Sequence, residues 1–279
     1  MELIKETEKS TEADLPEEKV SAVSAWVYDR DAHGVERWQW LIKEQAVTLY
    51  LNGREVVTLL CAGHHLDELA AGFFFAEGFL ETSADLESLE VNEAEGKVNL
   101  IIRRDMSLTE RLWQKRTVTS GCGKGSLFYY SLDALMSRPM AGTMRLSVNQ
   151  ILDRVEDLNR LSETYRRTHG VHNSAVADGE RIVLFRDDIG RHNVVDMIVG
   201  HFFLNSLSLE DKFLITTGRL TSEILIKAAK IRIPVLVSRN TATSLAVELA
   251  KSLNITLIGY ARAGKFTVYS GEERIIQKC

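Results

Sequence analysis

From residue 181 to residue 258 the chain switches repeatedly between two hydrophobic periods, and no other feature restricts its fold as much. Apolar runs of strand length at 181–185, 213–216, 235–238 and 255–258 are separated by stretches of helical spacing that begin near Arg191, Ser222 and Thr243. Strands joined through helices return side by side in the same direction, and a sheet built this way must be covered on both faces. The pattern predicts a layered, mostly parallel α/β unit.

Upstream of this region Ser147 and Gln150 have the spacing of a capping box. Ile151, Leu152, Val155, Leu158, Leu161 and Tyr165 then follow as one helical face. Residues 174–177 and 181–185 flank Asp178-Gly179, a hairpin signal. The earlier part has another rhythm. Apolar and polar positions alternate around Trp26 and again through Val47, Leu49 and Leu51, and Asn52-Gly53 marks a tight turn before Val56 and Val57. Leu66, Leu69, Ala70, Phe73 and Phe74 lie at helical spacing, and Val98, Leu100 and Ile102 repeat at period two. At about 150 residues per domain, a chain of 279 residues suggests two. The expected division is a loose acidic tail at 1–20, a smaller α+β domain at 21–143 and the α/β domain at 144–279. Pro, Gly and Met interrupt the pattern between 139 and 145.

Several functions are disfavoured. A formal net charge of -5 opposes broad binding of a phosphate polymer, so no nucleic-acid partner is expected. No apolar run approaches the roughly 18 residues of a membrane span, and the polar opening lacks the basic start and apolar stretch of a secretory signal. Cys61, Cys122 and Cys279 are too few and too widely spaced for a disulfide framework, which fits a reducing cytoplasm.

Cys122 lies in Thr117-Val-Thr-Ser-Gly-Cys-Gly-Lys-Gly-Ser126, with Lys115, Arg116 and Lys124 close in sequence. Flanking glycines relax the backbone and positive charge favours thiolate, the nucleophilic form. On this segment alone a reactive thiolate and a small buried side chain beside a turn are equally good readings.

In the α/β region polar clusters follow successive strands: Asp187 to Asn193 with Arg191 and His192, Thr216 to Glu223 with Thr217, Gly218 and Arg219, and Ser238 to Ser244 with Ser238 and Arg239. α/β sheets bind ligands where strands end and helices begin, and helix N-termini present free N–H groups to anions. Capping explains any one Ser or Thr. Three arginines in equivalent places point further, to a ligand carrying several phosphates. A fourth loop, Tyr260, Ala261, Arg262, Ala263, Gly264 and Lys265, either closes over the same ligand or is a solvated hairpin. His169, His172 and His192 raise the question of zinc, but His172-Asn173-Ser174 is not the His-x-Glu of base deaminases and no Cys-x-x-Cys occurs. No metal site is expected.

Taken in order, these segments resemble the FdhD/NarQ family of formate dehydrogenase accessory sulfurtransferases. The similar stretches are Glu44 to Gly53, Leu69-Ala-Ala-Gly-Phe73 with Glu77-Gly78, the Cys122 segment, Asp188-Ile-Gly-Arg-His-Asn193, Thr217-Gly-Arg219 with Ser222-Glu223, Ser238-Arg239 with Thr243-Ser244, and Gly259-Tyr-Ala-Arg262. The resemblance implies a cytidine-deaminase-like second domain without zinc ligands. It also implies a sulfur carrier that accepts persulfide sulfur from a cysteine desulfurase on Cys122 and delivers it to the bis-molybdopterin guanine dinucleotide molybdenum cofactor of a formate dehydrogenase. Residues Tyr260 to Lys265 match the family's cofactor loop, GDP becomes a surrogate ligand, and a homodimer is implied. This chain departs from the family at Cys122-Gly-Lys-Gly125, where Cys-x-x-Cys is usual. A relay of two cysteines is thereby put in question, whereas carriage by one is not. The competing readings are a cofactor-holding chaperone without sulfur transfer and a nucleotide hydrolase.

Overall fold

Asn52 and Gly53 both adopt left-handed backbone angles, φ 50° and 75°, as a two-residue turn between right-twisted strands requires. They join β3 (Gln45–Leu51) to β4 (Arg54–Cys61) in an antiparallel pair. The computed structural model describes residues 19–103, 116–118, 123–125, 140 and 144–276. The expected tail falls largely, and the expected boundary at 143 wholly, outside these residues.

With β5 (Leu86–Asn92) and β6 (Lys97–Ile102), the β3 and β4 strands form a four-stranded sheet in the order β4-β3-β6-β5. Val98, Leu100 and Ile102 alternate into its core, as their period predicts, against Leu66, Leu69 and Phe74 of helix α1 (Leu66–Ala76). Ahead of this sheet, β1 (Val20–Tyr28) and β2 (Gly34–Ile42) pair, among the described residues, only with each other as an antiparallel ribbon. Two short strands, β7 (Arg116–Val118) and β8 (Gly123–Gly125), also pair antiparallel.

The second sheet has six strands, in the order β11-β10-β12-β13-β14-β15. They are β10 (His172–Ala177), β11 (Ile182–Asp188), β12 (Phe213–Thr216), β13 (Val235–Ser238), β14 (Thr256–Arg262) and β15 (Lys265–Ser270). Helix α2 (Val148–Leu161) packs on one face through Ile151, Val155 and Leu158. The short α3 (Glu163–Thr168) follows it. The other face is covered by α4 (Arg191–Leu204), α5 (Ser222–Lys230) and α6 (Ser244–Ser252). The layered α/β architecture is therefore present, with helix starts where the sequence placed them: Ser147 and Gln150 exchange both bonds of the capping box, and Thr221 and Thr243 cap α5 and α6. The parallel part is narrower than expected. In this sheet only β12–β13 and β13–β14 are parallel neighbours, because β10 runs antiparallel between β11 and β12 and the β14–β15 hairpin turns β15 back at the other end.

Helix α4 belongs to both cores, since its Met197 and Phe203 pack with the four-stranded sheet while Val195 and Ile198 face the six-stranded one. Its crossing with α1 is a glycine contact. A Cβ on Gly72 would run into the carbonyl oxygen of Asp196, and one on Gly200 into that of Glu68. Next to the crossing, Arg186 of β11 grips both carboxylate oxygens of Glu68 at 2.6 Å, and His201 Nδ1 lies 2.8 Å from Glu68 Oε1. Burial by itself would raise the Glu68 pKa, but the hydrogen bonds from Arg186 and His201 and the guanidinium charge outweigh it and hold the carboxyl below its ordinary range. Finally, β9 (Leu146–Ser147) pairs in parallel with β16 (Ile275–Ile276). Arg274, fully buried just before β16, donates to Thr256 Oγ1 at 3.2 Å.

Candidate functional site at one edge of the six-stranded sheet

The register of the sheet brings the three polar clusters to one edge. Thr216 pairs with Ser238 at the carboxyl ends of the parallel strands, and β14 ends beside them. Because β10 runs the other way, its first residues sit at this edge too, with Ser174 opposite Thr216 and His172 opposite Asp188. Helix α4 starts there with Arg191 and His192.

Internal hydrogen bonds set the loops. Thr217 N–H donates to the Asn173 carbonyl at 2.9 Å, and Asn173 N–H returns a bond to Thr217 Oγ1 at 3.0 Å. Ser174 donates to Thr216 Oγ1, which also accepts from Gly218 N–H. Ser238 is fully buried, donates to the Gly218 carbonyl at 2.6 Å and accepts from Asn240 N–H. The edge is rigid for this reason. It also means that the Thr216 and Ser238 hydroxyls brace the loops.

The arginines are arranged differently from one another. Arg191 is half-buried, its Cβ against Gly218, where any side chain would press on it. Arg239 is half-buried and donates through Nη1 to Asn159 at 2.6 Å. Arg219 is exposed. The Nε atoms of Arg191 and Arg239 and the Oδ1 of the buried Asn173 lack hydrogen-bond partners among the described residues. A buried polar atom left unpaired costs about 1–3 kcal/mol, so such atoms grouped at one edge are a physical signature of a missing polar ligand. Asn173 was not singled out by sequence; its place at the first residues of β10, opposite Asp187, is the only signal it carries.

His192 is buried, and its Nε2 lies 2.8 Å from Glu223 Oε2 without a directed hydrogen bond. His172 Nδ1 is 3.4 Å from Thr217 Oγ1. Burial first, then the neighbouring Arg191 charge, lowers the His172 pKa from its ordinary value. Among the described residues, no three His, Cys, Asp or Glu side chains gather as a metal-binding group.

The loop after β14 folds over the same edge as a hairpin, with Arg262 opposite Lys265. Tyr260 and Ala263 take left-handed angles of 53° and 52°, unusual for residues with a Cβ, and Gly264 takes 72°. Tyr260 N–H is anchored to the Asn240 carbonyl at 2.9 Å, its ring is exposed, and the Arg262 guanidinium lies 5.6 Å from the ring centre. Ala261 is buried beneath the hairpin, whereas Arg262, Ala263, Gly264 and Lys265 are exposed.

Behind the edge stands a clamp invisible to sequence patterning. Asp188 accepts from Ala62 N–H at 2.7 Å, from Gly190 N–H at 2.9 Å and from Asn193 Nδ2 at 2.7 Å, while the same Asn193 nitrogen reaches the Leu60 carbonyl at 2.8 Å. The start of α4 is thus fastened to the end of β4.

Cys122 and Cys279 lie outside the described residues. Cys61 is fully buried at the end of β4. Burial, with a smaller push from the Asp188 charge and against an opposing hydrogen bond from Gly63, raises its thiol to about 11. It is a protonated, inaccessible thiol at neutral pH. Accordingly, Cys61 is expected to resist iodoacetamide at pH 8 in the native protein and to react after unfolding in urea. Peptide mass spectrometry makes the comparison, and rapid native labelling would contradict the buried placement.

No helix among the described residues is long and apolar enough to cross a membrane. Comparison with known proteins gives a consistent result. Residues 42–276 match the model of the FdhD/NarQ family. A Bacillus subtilis protein named sulfur carrier protein FdhD is 37% identical over 260 residues, 92% of this chain and 98% of the relative. A protein of the same name from Staphylococcus aureus strain Newman is 37% identical over 235 residues, 84% of this chain and 89% of the relative. A solved structure from Desulfotalea psychrophila, described as a candidate formate dehydrogenase accessory protein, superposes with a TM-score of 0.76 at 24% identity, covering 92% of this chain and all of that one. With a family model spanning most of its length and relatives above a third identical across their own, the chain belongs to the FdhD/NarQ family.

Proposed function

We propose that this protein is a cytoplasmic sulfur carrier for formate dehydrogenase maturation, holding the molybdenum cofactor at the edge of its six-stranded sheet and delivering sulfur to it from Cys122. The observation that carries this reading is the group of unpaired polar atoms on Arg191, Arg239 and Asn173 at a strand-end and helix-start edge. Guanidinium groups and helix N-termini suit phosphate oxygens, and a guanine dinucleotide cofactor supplies them. His192, Thr217, Gly218 and Arg219 would flank the phosphates, Ser238 would brace the loop beneath them, and Tyr260, Arg262 and Lys265 would close over them. The names of the relatives support a sulfur-carrying role.

In the sulfur step the Cys122 thiolate attacks the terminal sulfur of a persulfide on a cysteine desulfurase. The donor S–S bond breaks, the donor cysteine leaves as thiolate, and Cys122 becomes the persulfide. Delivery of that sulfur to the cofactor as a sulfido ligand would cleave the Cys122 S–S bond and release the Cys122 thiolate, with two electrons supplied by a reduced metal centre or an external reductant. A single cysteine suffices for both steps, in keeping with Gly125 at the second position of the family's cysteine pair. Holding sulfur donor and acceptor in reacting geometry is the main catalytic contribution in such a scheme, so no acid-base triad is needed.

The test has two arms. Intact-mass analysis after incubation with a desulfurase and cysteine should show one reducible sulfur on wild-type protein and none on Cys122→Ala. Calorimetry should show GDP binding to wild type and binding at least tenfold weaker to Arg191→Ala. Sulfur that maps to Cys279 instead refutes the carrier assignment, and cofactor binding without any sulfur adduct favours a holding chaperone. Absence of GDP binding by folded protein at millimolar concentration removes the ligand site.

A further inference from the structure

We infer that the β1–β2 ribbon is a docking surface for a basic, extended segment of a partner protein. The register puts Trp26 and Tyr28 of β1 on one face with Glu36, Trp38 and Trp40 of β2, since side chains alternate along each strand. Three of the four tryptophans in the chain share this face. Its rings are exposed: Trp26 62%, Tyr28 65%, Trp38 75% and Trp40 41%.

Three of these rings flank one carboxylate. Glu36 stands directly opposite Trp26, has Trp38 two residues along its own strand and lies diagonal to Tyr28. Its carboxylate accepts a hydrogen bond from Ser24, the residue opposite Trp38, and is held on the ribbon by it. Trp26 and Tyr28 are stacked, with ring centres 6.4 Å apart and planes inclined by 27°. Gly34 makes room for this arrangement, since a Cβ there would lie 2.6 Å from the Tyr28 ring and 3.2 Å from that of Trp26. Open π faces beside a single negative group suit a guanidinium or an ammonium, which is attracted to the rings and pairs with the carboxylate.

The distribution of charge along the chain points to the same occupant. Residues 1–42 hold ten acidic and five basic residues, whereas the rest of the chain holds 29 of each. The whole net charge of -5 is therefore carried by the ribbon and the residues ahead of it. Such a charge repels phosphate polymers and anionic lipid surfaces and draws in a cationic partner. An extended segment fits because the ribbon pairs with no other described strand, so a further strand can add along its outer edge. Side chains two residues apart on that segment are about 6.8 Å apart, the same spacing as Glu36, Trp38 and Trp40 along β2. Alternate Arg or Lys side chains would thus meet the carboxylate and the rings in turn. The family match begins at residue 42, where the ribbon ends, so this surface stands apart from the segment that defines the family.

The probe is a fluorescein-labelled peptide of 9 residues, the length of either strand, in which arginine alternates with threonine. Fluorescence anisotropy with the full chain is expected to give a dissociation constant on the order of 10 μM at low salt, weakening about tenfold between roughly 50 and 500 mM salt. Citrulline in place of arginine keeps the shape and removes the charge, and proline in place of threonine removes strand donors; each should weaken binding about tenfold or more. Trp26→Ser combined with Trp38→Ser should do the same, and Glu36→Gln, which leaves every ring in place, should cost about threefold to tenfold. Far-UV circular dichroism establishes that each variant is folded. Citrulline or proline peptide that binds as well as the arginine peptide overturns the inference, and so does unchanged binding by both folded variants. Sedimentation velocity at the same concentrations checks for another occupant: a wild-type dimer that the tryptophan variant dissociates would put a second copy on this face and overturn the inference too.

Discussion

Replacing Gly200 with valine is expected to destabilise the protein by about 4 kcal/mol or more, at the high end of single substitutions. Even the first added carbon meets the Glu68 carbonyl oxygen and lies 2.8 Å from Gly72 N. Both obstacles are backbone of α1 and cannot swing aside, so the helices must separate. Separation opens gaps among Leu69, Phe73, Met197 and Phe203, which pack around the crossing. Urea unfolding followed by circular dichroism measures the loss, with Gly264→Ala as control. Gly264 has open space around it and a φ of 72°, so alanine there should cost only about 1 kcal/mol through backbone strain. A Gly200→Val variant within 1 kcal/mol of wild type would mean that α1 and α4 do not cross as closely as described.

Lys227→Met should cost about 3–5 kcal/mol, because it strands a buried charge. Asp196 of α4 is almost fully buried, and Lys227 of α5 donates to both its carboxylate oxygens at 2.6 Å. Burial raises the Asp196 pKa even with the lysine present. Without Lys227 the carboxylate loses its main counter-charge and the folded-state pKa rises further. An acid whose folded pKa exceeds its unfolded value contributes stability at low pH and loses it as pH rises through that interval. The deficit of the variant should therefore be large at pH 8 and shrink toward pH 5. Adding Asp196→Asn to Lys227→Met should recover much of the loss at pH 8, since no charge is then left without a partner. A deficit independent of pH, with no recovery in the double variant, would show that lysine packing matters and the ion pair does not.

Local chemistry wrote the α/β part of the fold plainly into the sequence. The Asp178 turn, the Ser147 capping box and the Thr221 and Thr243 caps act within a few residues, so pattern reading found them. The narrower parallel part is a different matter: β15 has the length and composition of any strand, and only its hairpin with β14 fixes its direction. Glycine within a helix reads as a local weakness, and nothing near Gly72 reveals that Gly200 lies against it. The Glu68–Arg186 grip joins residues 118 apart, and the bond from Ala62 N–H to the Asp188 carboxylate spans 126. At this edge, the succession of arginines was legible because each falls in sequence between the end of a strand and the start of a helix. Which hydroxyls face outward was not, since Thr216 and Ser238 are drawn inward by bonds to neighbouring loops.

The β9–β16 pairing bears on how the chain reaches this structure. Ile275 lies beside Leu146, so the contact closes a loop of 129 residues. Loop closure becomes costlier with length, and contacts this distant in sequence form late. The strands between them can pair earlier, but β14 keeps Thr256 in place for Arg274, whose side chain is buried only when the last turn docks. Removal of the final strand would therefore leave a folding intermediate with its sheet assembled and a buried arginine site exposed, a species that chaperones and proteases recognise. Quality control of this protein would then turn on a two-residue strand far from the chemistry it serves.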